Sequence, residues 1–362
     1  MNYYRLSTAY FAISLFGFTP YAVSVGERRH PFPDDVNTRI VGGSRAPDGR
    51  YPYYTYIKMN HVDRDGEKIR GTYCGGTLIS PTAVVTAAHC VAESYEIYNR
   101  TIFDDDDNMD EYNARAHEIT IIVGVTDVHE EDTEANPSLV MGVASVEVHP
   151  QWDRDEDAPF DYDIALFKID GYISEDIIQP ITLDRVGGRI EPEEGDVFTA
   201  IGFGLTDPDG DISSTLKHVS LDYITNKECK DYWMDSLITE NVMCVYTEDK
   251  STCMGDSGGG LVATDESGDV LMGITSFGSS SCDYSSGFTR ISKMFDWIKS
   301  HICEWSPCYC QSAGIFEDDD SIDHCPEVTP APTASDNSCN DIPGFLDSYG
   351  FGCDWYTDIP AG

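Results

Sequence analysis

At 362 residues, with 41% hydrophobic side chains, the chain is long enough to bury a large core and too apolar to be disordered throughout. Its 64 acidic residues against 23 basic ones leave a formal charge of −41, a field that repels nucleic acid and anionic membrane surfaces and favours basic partners. The twelve cysteines, an even number, read as disulfides if the chain is exported.

Export is what the N-terminus suggests. Arg5 precedes an apolar run from Leu6 to Phe18, and small residues follow at Ala22 and Ser24. This is a secretory signal pattern spanning 1–24, with cleavage near Ser24. The run is too short to span a bilayer comfortably, and no later stretch has the length. A secreted, extracellular protein is expected, with no stable membrane insertion after signal cleavage. No Cys/His spacing suits a metal site, so neither a metal nor another cofactor is expected.

From about Ile40 to Ile291 the chain reads as short strands separated by turn signals. In order they are TLIS, AVVTAA, EITIIVGV, GVASVEVH, DIALFKI, VFTAIGFG, HVSLDYI, LVAT, VLMGITSF and GFTRI. That spacing predicts an all-β sandwich or barrel. The period then changes: Phe295, Ile298 and Ile302 in SKMFDWIKSHI fall at helical spacing and predict one closing helix. Between Cys90 and Glu118 lies an insert with the run DDDDNMDE, and Asn99-Arg100-Thr101 within it is a glycosylation acceptor, which puts this loop at the surface. The run lacks the glycine and terminal glutamate of a calcium loop and reads as a solvated acidic loop. From Cys303 onward six cysteines, acidic residues and a TPAPT stretch at Thr329 to Thr333 mark a cysteine-rich tail over 303–362. Six cysteines allow fifteen pairings, and the tail reads as an extracellular appendage.

The stretch STCMGDSGGGL sets Ser257 between an acid and three glycines. A serine hydroxyl becomes a useful nucleophile only when a base takes its proton and a third group orients that base. TAAHC supplies His89 and DYDIALFKI supplies Asp163. The motifs IVGG, TAAHC, DIAL and GDSGG in this order resemble those of the chymotrypsin-like (trypsin-fold) serine proteases, over about Ile40 to Ile302.

The resemblance implies two six-stranded antiparallel β-barrels with the catalytic residues in the cleft between them. It implies a protease domain over 40–302 that acts on protein or peptide substrates. Ser257 is then the nucleophile, His89 the general base and acid, and Asp163 the group that holds His89. The N–H groups of Gly255 and Ser257 form the oxyanion hole. Arg39-Ile40-Val41-Gly42-Gly43 matches the activation site, so residues 25–39 are a propeptide. Cutting after Arg39 by a trypsin-like protease would free the Ile40 amine to pair with Asp256. The family's disulfides carry over as Cys74 with Cys90, Cys229 with Cys244 and Cys253 with Cys282. One departure is Gly260, where the family has proline, which is expected to loosen the turn slightly.

Substrate preference follows from the matched pocket residues. Ser251, at the base, is neutral where an aspartate would select Lys or Arg. Met254 at the entrance, Trp233 beside the pocket and the wall Ser276-Phe277-Gly278 resemble chymotrypsins and imply cleavage after large apolar or aromatic residues. On the far wall either Ser286 or Gly287 faces the pocket; Ser286 would narrow it toward an elastase-like preference for Leu, Met or smaller residues. Asp283 reaching in would restore basic specificity. A protease homologue that has lost catalysis and serves as a binding or adhesion module is the reading from a different class.

Overall fold

A computed structural model describes residues 41–62, 68–91, 119–128, 139–152, 159–185, 192–206 and 212–315. The signal and propeptide segments with Arg39 and Ile40, the insert with Asn99, and the tail beyond Ile315 lie outside the described residues. The chain divides into Met1–Val36 and Asn37–Gly362, and every described residue belongs to the second unit.

Two closed antiparallel barrels of six strands each make up this unit. The first is built from β2 (Tyr54–Val62), β3 (Lys68–Ser80), β4 (Ala83–Thr86), β7 (Ala165–Asp170), β6 (Leu139–Val148) and β5 (Ile119–Val123), closed by pairing of β5 with β2. The second runs β9 (Val197–Gly202), β10 (Lys217–Ile224), β11 (Val242–Val245), β14 (Ser286–Arg290), β13 (Gly268–Phe277) and β12 (Gly260–Asp265), with β12 returning to β9. Two short strands add to its sheet, β1 (Ser44–Arg45) on β10 and β8 (Thr182–Leu183) on β13.

Closure explains the patterns that the sequence displays. In β10 alternate residues Lys217, Val219, Leu221 and Tyr223 are buried, as a strand with one face inward requires. In β4 all four residues are buried, because its neighbours in the chain are covered from outside as well. The cover is C-terminal. Helix α2 (Ile291–Trp305) buries Ile291, Met294, Ile298 and Ile302, with Phe295 only half-buried, and is followed by α3 (Pro307–Ser312). Tyr309 on α3 donates a hydrogen bond to the Ile79 carbonyl, 3.2 Å, and Ser306 meets Thr82 hydroxyl to hydroxyl at 2.5 Å. Cys303 is joined to Cys310, S–S 2.02 Å, and Cys310 is fully buried in the core shared with the first barrel. Strands β2 and β11 and helix α3 have no counterpart among the sequence-derived elements. β2 mixes Tyr, Thr, Lys and Asn into its run, and β11 is only four residues long, one of them a cysteine.

The barrels are also tied by one partly buried charge cluster. The Arg50 guanidinium grips both oxygens of Asp269 on β13, one at 2.8 Å, and the Tyr53 hydroxyl donates to the same carboxylate at 2.6 Å. Those donors hold the Asp269 carboxyl below its ordinary range against the opposing effect of burial.

Candidate active site

His89 sits on a helical turn, residues 88–91, directly after β4. Ala87 and Ala88 are fully buried, so only small side chains fit where the strand meets this turn. Asp163 lies just ahead of β7 and is 0% exposed. The residue before it, Tyr162, has φ 55°, an unusual conformation for a bulky side chain, and its ring is stacked on His149 at 4.7 Å.

A fully buried carboxylate needs donors, and Asp163 has them. It accepts from the His89 backbone N–H at 2.8 Å, from His89 Nδ1 at 2.7 Å and from the Ser276 hydroxyl at 2.5 Å. A carboxylate only accepts, so Nδ1 carries the ring proton and Nε2 keeps its lone pair. Thr289 on β14 donates to the Asp163 carbonyl at 2.7 Å.

Ser257 stands in the turn between β11 and β12, and its carbonyl accepts from Gly75 N–H of β3 at 2.7 Å. The neighbouring residue in each segment, Cys74 beside Gly75 and Cys90 beside His89, closes the arrangement. Cys74 is bonded to Cys90, S–S 2.03 Å, so the strand that holds Ser257 is covalently joined to the turn that carries His89. Gly258, with φ +78°, makes the close approach possible: a Cβ there would lie 2.2 Å from Thr86 Oγ1 and 2.3 Å from the Gly75 carbonyl. The serine turn therefore packs directly on Thr86 and Ala87, three and two residues ahead of His89. Gly260, where the family has proline, is paired in the ladder with Ile274, and a Cβ there would lie 2.8 Å from Leu271 Cδ1 and 3.0 Å from Thr77 Oγ1.

Asp256 is buried, and its oxygens accept from Gly204 N–H at 2.8 Å and Cys253 N–H at 2.9 Å. Its carboxyl fits only because Gly202 and Gly204 lack side chains; a Cβ on either would come within 2.4 Å of it. Burial pushes the carboxyl up to about 6, and the two backbone donors offset only part of that.

The residues matched to the specificity pocket fall into two groups. Ser251 and Ser286, the first expected at its base and the second on its far wall, are both buried, with their hydroxyl oxygens 3.2 Å apart, and Thr252 donates to Ser286 at 2.9 Å. Gly287 lies elsewhere, under the Phe277 ring, where a Cβ would be 2.2 Å from Cζ. The second group is aromatic. Phe277 meets Trp233 edge to face at 5.2 Å, and the Trp233 indole donates to the Ser285 carbonyl at 3.2 Å. Phe160, which the sequence analysis passed over, stacks on the other side of Phe277 at 4.6 Å; its place three residues before Asp163 was the available signal. Met254 is 65% exposed, and a Cβ added at Gly278 would meet nothing within 4 Å, so the space around it is open. Asp283 is exposed and accepts from Ser279 and Ser281 of its own loop, which keeps its carboxyl low and turned to that loop. Cys229 is bonded to Cys244 and Cys253 to Cys282. Among the described residues no group of three or more His, Cys, Asp or Glu could hold a metal ion.

The trypsin family model matches residues 40–298, a span that contains both barrels and all these side chains. The chain belongs to the trypsin family. Among its relatives are venom serine protease 34 of Apis mellifera, 28% identical over 75% of this chain and 60% of the bee protein, and the proclotting enzyme of Tachypleus tridentatus, 29% identical over 74% and 67%. Ovochymase of Halocynthia roretzi is 29% identical over 73% of the chain, which spans only 15% of that protein. Family membership thus rests on the protease domain, since the chain covers no more than about two thirds of any of these three.

The raised Asp256 carboxyl makes a prediction about the uncut chain. Its folded value, about 6, lies above the unfolded one, so the stability it contributes is present below about pH 4 and is lost as pH rises through 6. Asp256→Asn cannot ionise, and relative to the parent it is expected to gain roughly 3 kcal/mol between pH 4 and pH 7. Thermal midpoints of both proteins at the two pH values measure this. A difference that does not change with pH would show that the carboxylate is already compensated.

Proposed function

We propose that this chain is a secreted serine endopeptidase made as a zymogen. The observation that carries the reading is the His89–Asp163 pair, whose Nδ1 is held by the carboxylate, next to Thr86 and Ala87 on which the turn of Ser257 packs. In the reaction His89 Nε2 takes the Ser257 hydroxyl proton as Oγ bonds to the substrate carbonyl carbon. The oxygen of the resulting tetrahedral intermediate gathers charge, which the N–H groups of Gly255 and Ser257 stabilise. Collapse breaks the C–N bond, the departing amine takes the proton from His89, and an acyl-enzyme remains. Water then repeats the sequence, giving its proton to His89 and releasing the acid. Asp163 stabilises the imidazolium formed in both halves.

Ser257→Ala is expected to lower turnover by ~10⁶-fold with the fold intact, because the triad works as a unit. A fluorophosphonate label on Ser257 of the activated protein provides the matching positive result. Near-native hydrolysis by the alanine variant would remove Ser257 as nucleophile, and absence of label on folded, cut protein would favour the silent binding module.

The zymogen reading rests on Arg39-Ile40 and on the buried, cation-free surroundings of Asp256 among the described residues. A new Ile40 ammonium would supply the partner that a buried carboxylate lacks. With Arg39→Gln, trypsin treatment is expected to leave the protein inactive, whereas the parent gains activity on the same treatment. Full activity of the untreated variant would rule the zymogen out.

The base of the pocket supports cleavage after apolar residues. A basic side chain would find only hydroxyls at Ser251 and Ser286, and an unpaired buried charge costs several kcal/mol, enough to exclude it. The aromatic wall and the open space at Gly278 agree with a chymotrypsin-like preference for large apolar residues. The contact of Ser286 with Ser251 favours the second, elastase-like reading, a shortened slot that ranks Leu and Met above Phe and Tyr. Matched peptide substrates ending in Phe, Leu, Ala and Arg separate these readings, and Ser286→Gly is expected to shift the kcat/KM ratio of Phe to Leu upward by about tenfold. Arg ranking first would overturn the neutral pocket; no shift with Ser286→Gly would return the preference to the chymotrypsin-like form.

A further inference from the structure

Each residue from Phe160 to Asp163 is pinned by a different contact. Phe160 stacks on Phe277, and Asp163 is held by His89 and Ser276. Between them Tyr162 keeps φ at 55°, a conformation that a bulky residue adopts only where its surroundings enforce it. The result is a tight turn centred on Asp163, closed by Ile164 N–H donating to the Tyr162 carbonyl at 2.7 Å. This strained turn sets where the Asp163 carboxylate stands relative to His89.

The turn is held from both barrels. On the side of the second barrel, a single oxygen of the half-buried Asp161, Oδ1, accepts from the Thr239 hydroxyl at 2.7 Å and from the Asn241 side-chain amide at 2.8 Å. Both donors lie just ahead of β11 and are themselves fixed. The Asn226 amide donates to the carbonyls of Thr239 at 2.6 Å and Val242 at 3.0 Å, and the Asn241 carbonyl accepts from Arg290 N–H at 2.7 Å. Thr289, next to Arg290 on β14, grips the Asp163 carbonyl at 2.7 Å. One stretch of the second barrel therefore holds the turn at two points, the Asp161 side chain and the Asp163 backbone. On the side of the first barrel, the buried His149 ring packs against Trp297 of α2 at 4.9 Å and stacks on Tyr162 at 4.7 Å, while His149 N–H donates to the Ile164 carbonyl at 3.1 Å.

We propose that Asp161 is a positioning residue for the triad: bound to Thr239 and Asn241, it holds the strained turn at Tyr162 and so keeps Asp163 in register with His89. It acts through Asp163, and the proposal rests on reading His89, Asp163 and Ser257 as a catalytic triad. Because both hydrogen bonds end on one oxygen, the carboxylate's charge is not required, and an amide oxygen can take its place.

The test uses the full-length activated protein with Asp161→Ala, Asp161→Asn and Thr239→Val. Asp161→Ala is expected to lower kcat by roughly 100-fold with KM nearly unchanged, the cost of a small misplacement at a reacting group. Asp161→Asn is expected to keep most of the parent's kcat. Thr239→Val removes one of the two hydrogen bonds, is expected to lose part of kcat, and carries the same comparison should Asp161→Ala fail to fold. A second readout needs no turnover. In the Ser257→Ala background the His89 Nδ1 proton, deshielded by its bond to Asp163, gives a downfield proton resonance, identified by its absence when His89 is also replaced by Ala. It is expected to move upfield with Asp161→Ala and to stay in place with Asp161→Asn. An unmoved resonance in Asp161→Ala would overturn the proposal whatever the rate, as would an Asp161→Asn variant as impaired as the alanine one. A parent that carries the resonance but hydrolyses no peptide would instead remove the catalytic reading, and the resonance would then decide by itself whether Asp161 positions Asp163.

Discussion

One fully buried carboxylate, Asp163, sets the terms for the rest of this structure. A charge removed from water is tolerated only with donors around it, and those donors come from both barrels: His89 after β4 of the first, Ser276 at the end of β13 of the second. Thr289 on β14 holds the carbonyl of the same residue. Neither barrel alone could bury this group. The requirement that keeps the two barrels in register is therefore the same one that orients His89.

Around this centre, space is made by omission. Gly258 lets the serine turn rest on Thr86 and Gly75, and Gly202 and Gly204 leave room for the Asp256 carboxyl. Each is a place where backbone meets backbone or carboxylate too closely for any side chain. The Cys74–Cys90 bond then joins the two segments that these contacts bring together, limiting how far His89 and the serine turn can separate when the loops around them move. Asp256 is the exception to this economy. Its two backbone donors do not offset its burial, and its raised carboxyl is the electrostatic strain that a nearby cation would relieve.

The residues matched to the specificity pocket combine buried hydroxyls with an aromatic cluster. Phe160, Phe277 and Trp233 form one continuous ring contact, contributed by the loop before Asp163, the end of β13 and the segment after α1 (Asn226–Cys229). The hydroxyls of Ser251, Thr252 and Ser286 satisfy one another below it. Hydroxyls already hydrogen-bonded among themselves leave this buried spot without a charge. The acidity of the whole molecule, −41, does not supply one, because exposed acids are screened by water and salt.

Local sequence marked the candidate triad residues and the strand character of most of both barrels, because each of these is written in a short run of adjacent residues: TAAHC, DIAL, GDSGG, alternating strands. The helical spacing before Ile302 likewise marked α2, although the stripe that packs is Ile291, Met294, Ile298 and Ile302, with Phe295 only half-buried. Tertiary structure alone decided that Ser286, and not Gly287, meets Ser251, since the two are adjacent in a strand and only its pairing with β11 and β13 tells which face looks inward. It also decided the pairing of Gly260 with Ile274, the place of Phe160 beside Phe277, and the return of Ser306 and Tyr309 onto Thr82 and Ile79. All of these are contacts between residues far apart in the chain, and a contact of that kind is fixed by how the barrels close, which no local pattern records.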